Sequence, residues 1–135
     1  MKLLIDTHYL LWMFMDTAKI SDKVKTALIS ADNEIYYSQA SLWEISIKYS
    51  IGKLCLNGVT PEELYAEIEN SFLICKTLEN RDLISAYHLP REHKDPFDRM
   101  IIWQAISGKM TLLSVDTKMN HYVEYGLKLF EFLDK

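Results

Sequence analysis

Residues 93–102, HKDPFDRMII, place Asp98 at the head of a stretch that turns abruptly apolar. Ile101, Ile102 and Ala105 follow that acid at the i+3, i+4 and i+7 positions, so a helix here would carry the carboxylate on its buried face. A carboxylate that leaves water costs several kcal/mol of free energy unless a partner compensates its charge. The spacing therefore indicates that another group compensates Asp98.

Three further acids would also need a group that compensates their charge if they are buried. Asp6 ends the apolar segment KLLID, Asp116 ends MTLLSVD, and Glu44 interrupts an apolar stripe if its segment is helical. In one shared pocket these carboxylates would repel one another, and some would be forced to take up protons. A bound divalent cation removes both penalties, and oxygen ligands without Cys or His favour Mg²⁺ or Mn²⁺ over zinc.

Each acid also has a simpler interpretation. Asp6 and Asp116 each precede a threonine and could cap a helix, and Asp98 suits the third position of a helix that Asp95 caps. Glu44 could be an ordinary exposed helix acid. A shared site is favoured only if independent segments converge on one place, which depends on the fold.

Apolar strand segments alternate with helical segments along the chain, which predicts an α/β domain with a mainly parallel sheet. Right-handed crossovers place helices on both faces of such a sheet. The carboxyl ends of the strands share one edge, so Asp6, Asp98 and Asp116 are expected on the same rim. The predicted strands are 2–6, 33–39, 72–78, 110–116 and 127–133, and the predicted helices are 7–15, 21–31, 60–70, 81–89 and 95–108.

The segment 40–54 is ambiguous by its own pattern. Strict alternation from Ile45 to Ile51 favours a strand, whereas a helix would align Ala40 and Glu44 with other apolar residues on one stripe. Local periodicity alone leaves both structures open.

The composition restricts the class of protein. The 135 residues fit one domain, 1–135, with the apolar content of 49% that is typical of a soluble globular protein. A net charge of −4 argues mildly against a broad nucleic-acid-binding face, but it does not exclude a nuclease. The two cysteines and four histidines show no metal-ligand spacing, so reduced thiols in a cytoplasmic protein are expected. No apolar run reaches roughly 18 residues, so no membrane partner is expected.

Four segments make the chain resemble the PIN-domain proteins found as VapC-type toxins of type II toxin–antitoxin pairs. They are LLIDTHYLLW, SQASLWEISIKYSIGKL, HKDPFDRMIIWQA and LLSVD, in this order. The resemblance implies a three-layer α/β/α sandwich with a five-stranded sheet, and it favours a helix over 39–51. It also implies a Mg²⁺- or Mn²⁺-dependent endoribonuclease that acts on RNA and pairs with an antitoxin. Its catalytic and metal-binding residues would be Asp6, Glu44, Asp98 and Asp116.

Other residues are expected near this rim. Thr7 and Ser114 would add hydrogen bonds close to the metal, or would only cap their elements. Lys48 and Arg99 would contact RNA phosphates, or would be ordinary solvated charges, and Arg99 has the further alternative of pairing with an acid. Asp95 is expected to be a cap rather than a ligand.

Large apolar side chains are more frequent in residues 9–15 than one buried helix face requires. A homodimer surface or an antitoxin groove would use the surplus, unless both sides pack internally. Trp12, Trp43 and Trp103 lie at core spacing, so base stacking is not expected for most of them.

Two other functions are compatible with such a sheet. One is a partner-binding module that keeps the PIN fold without the activity, although the intact acids argue against it. The other is a Mg²⁺-dependent phosphatase with Asp6 as the nucleophile. That chemistry usually has a second acid two residues later, and residue 8 is a histidine.

Overall fold

A single parallel sheet forms the centre of the structure, a computed structural model that describes residues 1–130. Its strand order is β3-β2-β1-β4-β5, and every adjacent pair is parallel, which confirms the predicted α/β class. The strands are β1 (Lys2–Ile5), β2 (Glu34–Ser38), β3 (Ile74–Lys76), β4 (Thr111–Leu113) and β5 (Lys128–Leu129). Of the strand predicted at 127–133, residues 131–133 lie outside the described residues.

Six α-helices occur within residues 1–130, together with three 3₁₀ helices. The α-helices are α1 (Thr7–Met15), α2 (Asp22–Ile29), α3 (Gln39–Ser50), α4 (Pro61–Glu69), α5 (Asn80–Ser85) and α6 (Pro96–Ser107). The 3₁₀ helices are Thr17–Lys19, Ala86–His88 and Thr117–Tyr125.

The central strand shows why helices cover both faces. Side chains alternate along a strand, so Leu3 and Ile5 point to one face of β1 and Leu4 to the other. Leu3 and Ile5 belong to a core cluster with α1, α2 and α4, whereas Leu4 belongs to a second cluster with Ile101 and Ile102 of α6. The result is the three-layer sandwich that was predicted.

The strand order reverses direction at β1. The chain builds β1, β2 and β3 outwards on one side, and then places β4 on the other side of β1. In open parallel sheets, ligands bind beyond the carboxyl ends of the strands at this type of switch point. Asp6 follows β1 directly and Asp116 follows β4 by three residues, so both acids flank the switch point.

The ambiguous segment is helical, as the resemblance implied. Ser38 ends β2 and caps α3 through a hydrogen bond from Ala40 N–H to its hydroxyl, at 3.0 Å. Ser41 and Glu44 are buried on the inner side of this helix. The alternation of residues 45–51 is a local pattern that favoured a strand. The cap and the burial of Ser41 and Glu44 depend on the tertiary structure, which local periodicity does not include.

The sequence did not predict the 3₁₀ helix that follows β4. Asp116 caps it, and Gly126 ends it with a positive φ of 104°, a backbone conformation that favours glycine. Met119 and Tyr122 are its buried residues, one 3₁₀ turn apart. The i, i+3 spacing of these two residues was an available signal, although polar residues make up most of the segment.

Exposure of the apolar side chains on α3 and α1 tests two of the predictions. Trp43 is 64% exposed, so the core position expected from its spacing is wrong. On α1, Tyr9 and Leu10 are buried, and the residues from Leu11 to Met15 are half-buried against the first core cluster.

No helix in the described part of the chain combines the length and apolarity needed to cross a membrane.

Candidate active site

A histidine and two carboxylates meet at the rim beyond β1 and β4. Among residues 1–130, His93, Asp98 and Asp116 form the one group whose candidate ligand atoms all lie within 4.8 Å of one another. The Nε2 atom of His93 lies 2.8 Å from Asp116 Oδ2 and 3.1 Å from Asp98 Oδ2. Asp98 comes from the first turn of α6 and Asp116 from the loop after β4, so two independent elements converge as predicted.

Asp116 uses its two carboxylate oxygens for different purposes. Its Oδ1 accepts the Lys118 N–H at 2.9 Å and caps the 3₁₀ helix, while Oδ2 faces His93. Burial opposes ionisation, but the Lys118 N–H and the hydrogen bond and charge of His93 outweigh it and lower the Asp116 pKa. The capping interpretation is therefore correct, and it leaves one oxygen directed at the cluster.

Asp98 is only partly compensated by its protein neighbours. Burial and the negative charges of Asp95 and Glu44 together raise its pKa to about 6, against a lowering effect of His93. Asp6 also contributes to the rise. The charges of the other acids thus act on Asp98, and its carboxylate favours a proton or a cation.

Asp6 is almost fully buried, with 2% of its surface exposed. Its Oδ1 accepts the Tyr9 N–H at 3.0 Å and caps α1, and its Oδ2 accepts the Val115 N–H at 3.4 Å. Burial raises the Asp6 pKa, against the lowering effect of these donors and of the Ser114 hydroxyl. Ser114 also accepts the Asp116 N–H at 3.1 Å, so it links the two acids.

Glu44 is buried on α3 and is held by two donors. Thr7 Oγ1 donates to Glu44 Oε1 at 2.6 Å, and Ser41 lies 2.8 Å from the same threonine oxygen. Lys48 Nζ makes a short ion pair with Glu44 Oε2, one helical turn along α3. This hydrogen bond raises the Lys48 pKa, against the opposing effect of burial.

Arg99 binds the backbone instead of an acid. Its Nη1 donates to the carbonyl oxygens of Pro90 and His93, and its Nη2 donates to that of Leu89, at 2.9–3.1 Å. The guanidinium thus fixes the loop before α6. The contact of Arg99 with RNA stays a prediction. It is not favoured by the three hydrogen bonds that the guanidinium already donates to the backbone.

Asp95 is the cap that was expected. Its Oδ1 accepts the N–H groups of Phe97 and Asp98, at 2.8 and 3.1 Å, which starts α6 and orients Asp98.

His93 is the residue that the sequence analysis missed. Spacing arguments look for two histidines on one element, whereas this histidine meets Asp116 from 23 residues away. The available signal was its place in the same short loop as Asp95 and Asp98.

The donor set at this rim fits a hard divalent cation. Asp98 and Asp116 offer carboxylate oxygens, and the raised pKa of Asp98 shows that the protein alone leaves its charge partly uncompensated. The predicted site residues Asp6 and Glu44 border the same rim. They do not belong to the tight cluster formed by the described residues, so their part as ligands stays a prediction.

A family model described as PIN domain matches residues 3–125, which is most of the chain. The protein therefore belongs to the PIN-domain family, and the resemblance drawn from its sequence is confirmed. That residues 1–135 form a single domain stays a prediction. No curated protein sequence matches the chain significantly.

Several solved structures share the fold. VapBC2 from Rickettsia felis, bound to a DNA fragment from its promoter, aligns with a TM-score of 0.70 and 19% identity over 96% of this chain and 98% of that one. VapBC-1 from nontypeable Haemophilus influenzae aligns with a TM-score of 0.64 and 12% identity, over 97% of this chain and 98% of that one. FitAcB from Neisseria gonorrhoeae aligns with a TM-score of 0.65 and 15% identity, over 96% of each chain. At these identities the likeness establishes the fold alone.

Proposed function

We propose that this PIN-domain protein is a Mg²⁺- or Mn²⁺-dependent endoribonuclease that acts as the toxin of a type II toxin–antitoxin pair. The observation that carries the proposal is the convergence of Asp98 and Asp116 at the switch point of the sheet, with the Asp98 pKa raised to about 6. Carboxylates with perturbed pKa values cluster at functional sites.

Each acid has a part in this proposal. Asp98 and Asp116 bind the cation through the oxygens that face the cluster, and Asp6 adds a third carboxylate from the end of β1. Glu44, held by Thr7, borders the site from α3 and either binds a second ion or orients the attacking water. When bound, the cation supplies an acidified water and positive charge that stabilises the transition state of phosphodiester hydrolysis.

The toxin role rests on the neighbours of the fold. The VapBC2, VapBC-1 and FitAcB structures carry the names of toxin–antitoxin pairs, and VapBC2 is bound to DNA. We propose an antitoxin as the partner of this chain. The half-buried apolar side chains of α1 and the exposed apolar residues of α3 and α5 offer surfaces for it and for a homodimer. The cytoplasmic location stays a prediction.

A cleavage assay tests the proposal. The purified chain is incubated with single-stranded RNA in EDTA, in Mg²⁺ and in Mn²⁺, alongside Asp6→Asn and Asp98→Asn. We expect cleavage only with metal, and its loss in both variants while their circular dichroism remains that of the folded protein. Unchanged cleavage in both variants would remove these acids from the mechanism.

One observation favours a second function, a PIN-fold module that binds partners without catalysis. Lys48 pairs with Glu44, and His93 contacts both Asp98 and Asp116, so three of the acids have a protein partner without any metal. This alternative predicts no RNA cleavage in any metal, together with binding of the antitoxin. The same assay therefore separates the two functions, and a phosphomonoester substrate tests the phosphatase alternative beside them.

A further inference from the structure

The ring of His93 is oriented at both of its nitrogens. Nδ1 accepts the backbone N–H of Asp95 at 3.2 Å, and Nε2 faces the carboxylates of Asp98 and Asp116. Its side chain is only 6% exposed, so the ring has no freedom to turn away into water.

The contact at Nδ1 assigns the tautomer of this ring. A nitrogen that accepts a hydrogen bond presents its lone pair, so in neutral His93 the proton resides on Nε2. A protonated nitrogen has no lone pair for a metal ion. His93 therefore meets the two carboxylates as a hydrogen-bond donor and not as a candidate metal ligand.

The backbone of His93 is also fixed on both sides. Its N–H donates to the Tyr122 hydroxyl at 2.6 Å, and that hydroxyl donates to the Pro90 carbonyl at 2.7 Å. Arg99 donates to the His93 carbonyl at 3.1 Å. The loop is thus tied to both the 3₁₀ helix after β4 and to α6, the two elements that carry Asp116 and Asp98.

We propose that His93 is a positioning residue, whose Nε2–H group spans Asp98 and Asp116 and sets the separation of the two carboxylates for a divalent cation. The inference rests on the proposed function, because it assumes that these acids bind metal. Each carboxylate oxygen that accepts the Nε2–H group keeps a further lone pair, through which it would bind the ion. Partners that orient metal ligands in this way typically contribute about 10–100-fold in metal affinity.

Metal affinity tests this role without any measurement of catalysis. Mn²⁺ is titrated calorimetrically into the wild type, His93→Leu, His93→Gln and the control His121→Leu, which changes an exposed histidine outside the cluster. We expect binding about 10–100-fold weaker in His93→Leu, near-normal binding in His121→Leu, and recovery in His93→Gln. Glutamine is the matched variant because its amide N–H reaches about as far as Nε2.

The ¹⁵N resonances of His93 give a second readout that also serves if the leucine variant does not fold. We expect a protonated Nε2 and an unprotonated Nδ1 in the free protein, and the same pattern after addition of Mg²⁺. A proton on Nδ1 in the loaded protein would make His93 a ligand and overturn the inference.

The two proposals fail in different ways. Wild-type affinity in His93→Leu, with binding abolished in Asp98→Asn, would overturn the positioning role and leave the metal site intact. The absence of Mn²⁺ binding in the wild type would overturn both.

Discussion

Thr7 Oγ1 donates to Glu44 Oε1 across 2.6 Å, and this bond joins residues 37 positions apart, one after β1 and one on α3. Lys48 occupies the other oxygen of the same carboxylate. A buried glutamate is therefore held between a hydroxyl and an ammonium group, and the position of α3 over the sheet edge depends on both.

Replacing Lys48 with methionine should destabilise the fold. It leaves the buried Glu44 carboxylate with one donor fewer, which typically costs about 1–3 kcal/mol. In the Glu44→Gln background the same change should cost much less, because no buried charge remains. Urea unfolding of the four proteins in this double-mutant cycle measures the coupling.

An equal cost of Lys48→Met in both backgrounds would show that the ion pair contributes nothing. The alternative part of Lys48, a contact with RNA phosphate, predicts a different result. In that case Lys48→Met would reduce the slope of log K against log salt concentration for RNA binding by about one, with little effect on the free energy of unfolding.

Arg99 should act on stability more than on RNA binding. Its guanidinium holds three carbonyl groups of residues 89–93, and the single ammonium group of lysine cannot reproduce that planar arrangement. We expect Arg99→Lys to lower the free energy of unfolding by at least about 2 kcal/mol in urea. Normal stability combined with weakened RNA binding would instead place Arg99 in contact with the substrate.

The order of the elements was predictable from local signals. The predicted helix over 60–70 begins with a capping box of Thr60 and Glu63, followed by Pro61 in its first turn, and Asp95 caps α6 as predicted. Boundaries were less predictable, since β3 and β4 have three residues each where seven were expected. Pairing with neighbouring strands, which ends a strand, is not encoded in the strand's own pattern.

The site was predictable only in part. Asp6, Asp98 and Asp116 could be placed on one rim because strand ends and helix starts in an α/β sheet have fixed positions. His93 and the Lys48–Glu44 pair depend on side-chain directions that periodicity does not give. Trp43 shows the same limit, because its spacing indicated the core and its ring lies exposed against Phe97.

Asp98 should make stability fall as pH rises. Its pKa is raised from 3.8 to about 6 in the folded protein. The protonated carboxyl therefore contributes its full stabilisation below the pKa of the unfolded state, and this stabilisation is lost as pH rises through about 6. Without metal, Asp98→Asn should therefore be more stable than the wild type at pH 7.5, by up to about 3 kcal/mol, and equally stable near pH 4.

Urea unfolding at both pH values measures this difference. Asp22→Asn is the matched control, because Asp22 is also an acid in the first turn of a helix but lies on the exposed surface of α2. A pH-independent difference between wild type and Asp98→Asn would contradict the raised pKa.

Metal should offset most of the stability difference between the wild type and Asp98→Asn at neutral pH. A ligand that binds only the folded state at 100 times its Kd stabilises it by about 2.7 kcal/mol, which corresponds to a rise in Tm of roughly 10 °C here. We expect this rise with Mn²⁺ in the wild type, and no rise in Asp98→Asn or Asp116→Asn. Melting curves that do not respond to millimolar Mn²⁺ would count against the site.

Anomalous scattering from crystals soaked in Mn²⁺ would locate the ion itself. We expect a strong peak at roughly 2.1 Å from carboxylate oxygens of Asp98 and Asp116, on the rim that Asp6 borders. Crystals that show no peak at this rim at saturating Mn²⁺ would rule out a metal site there.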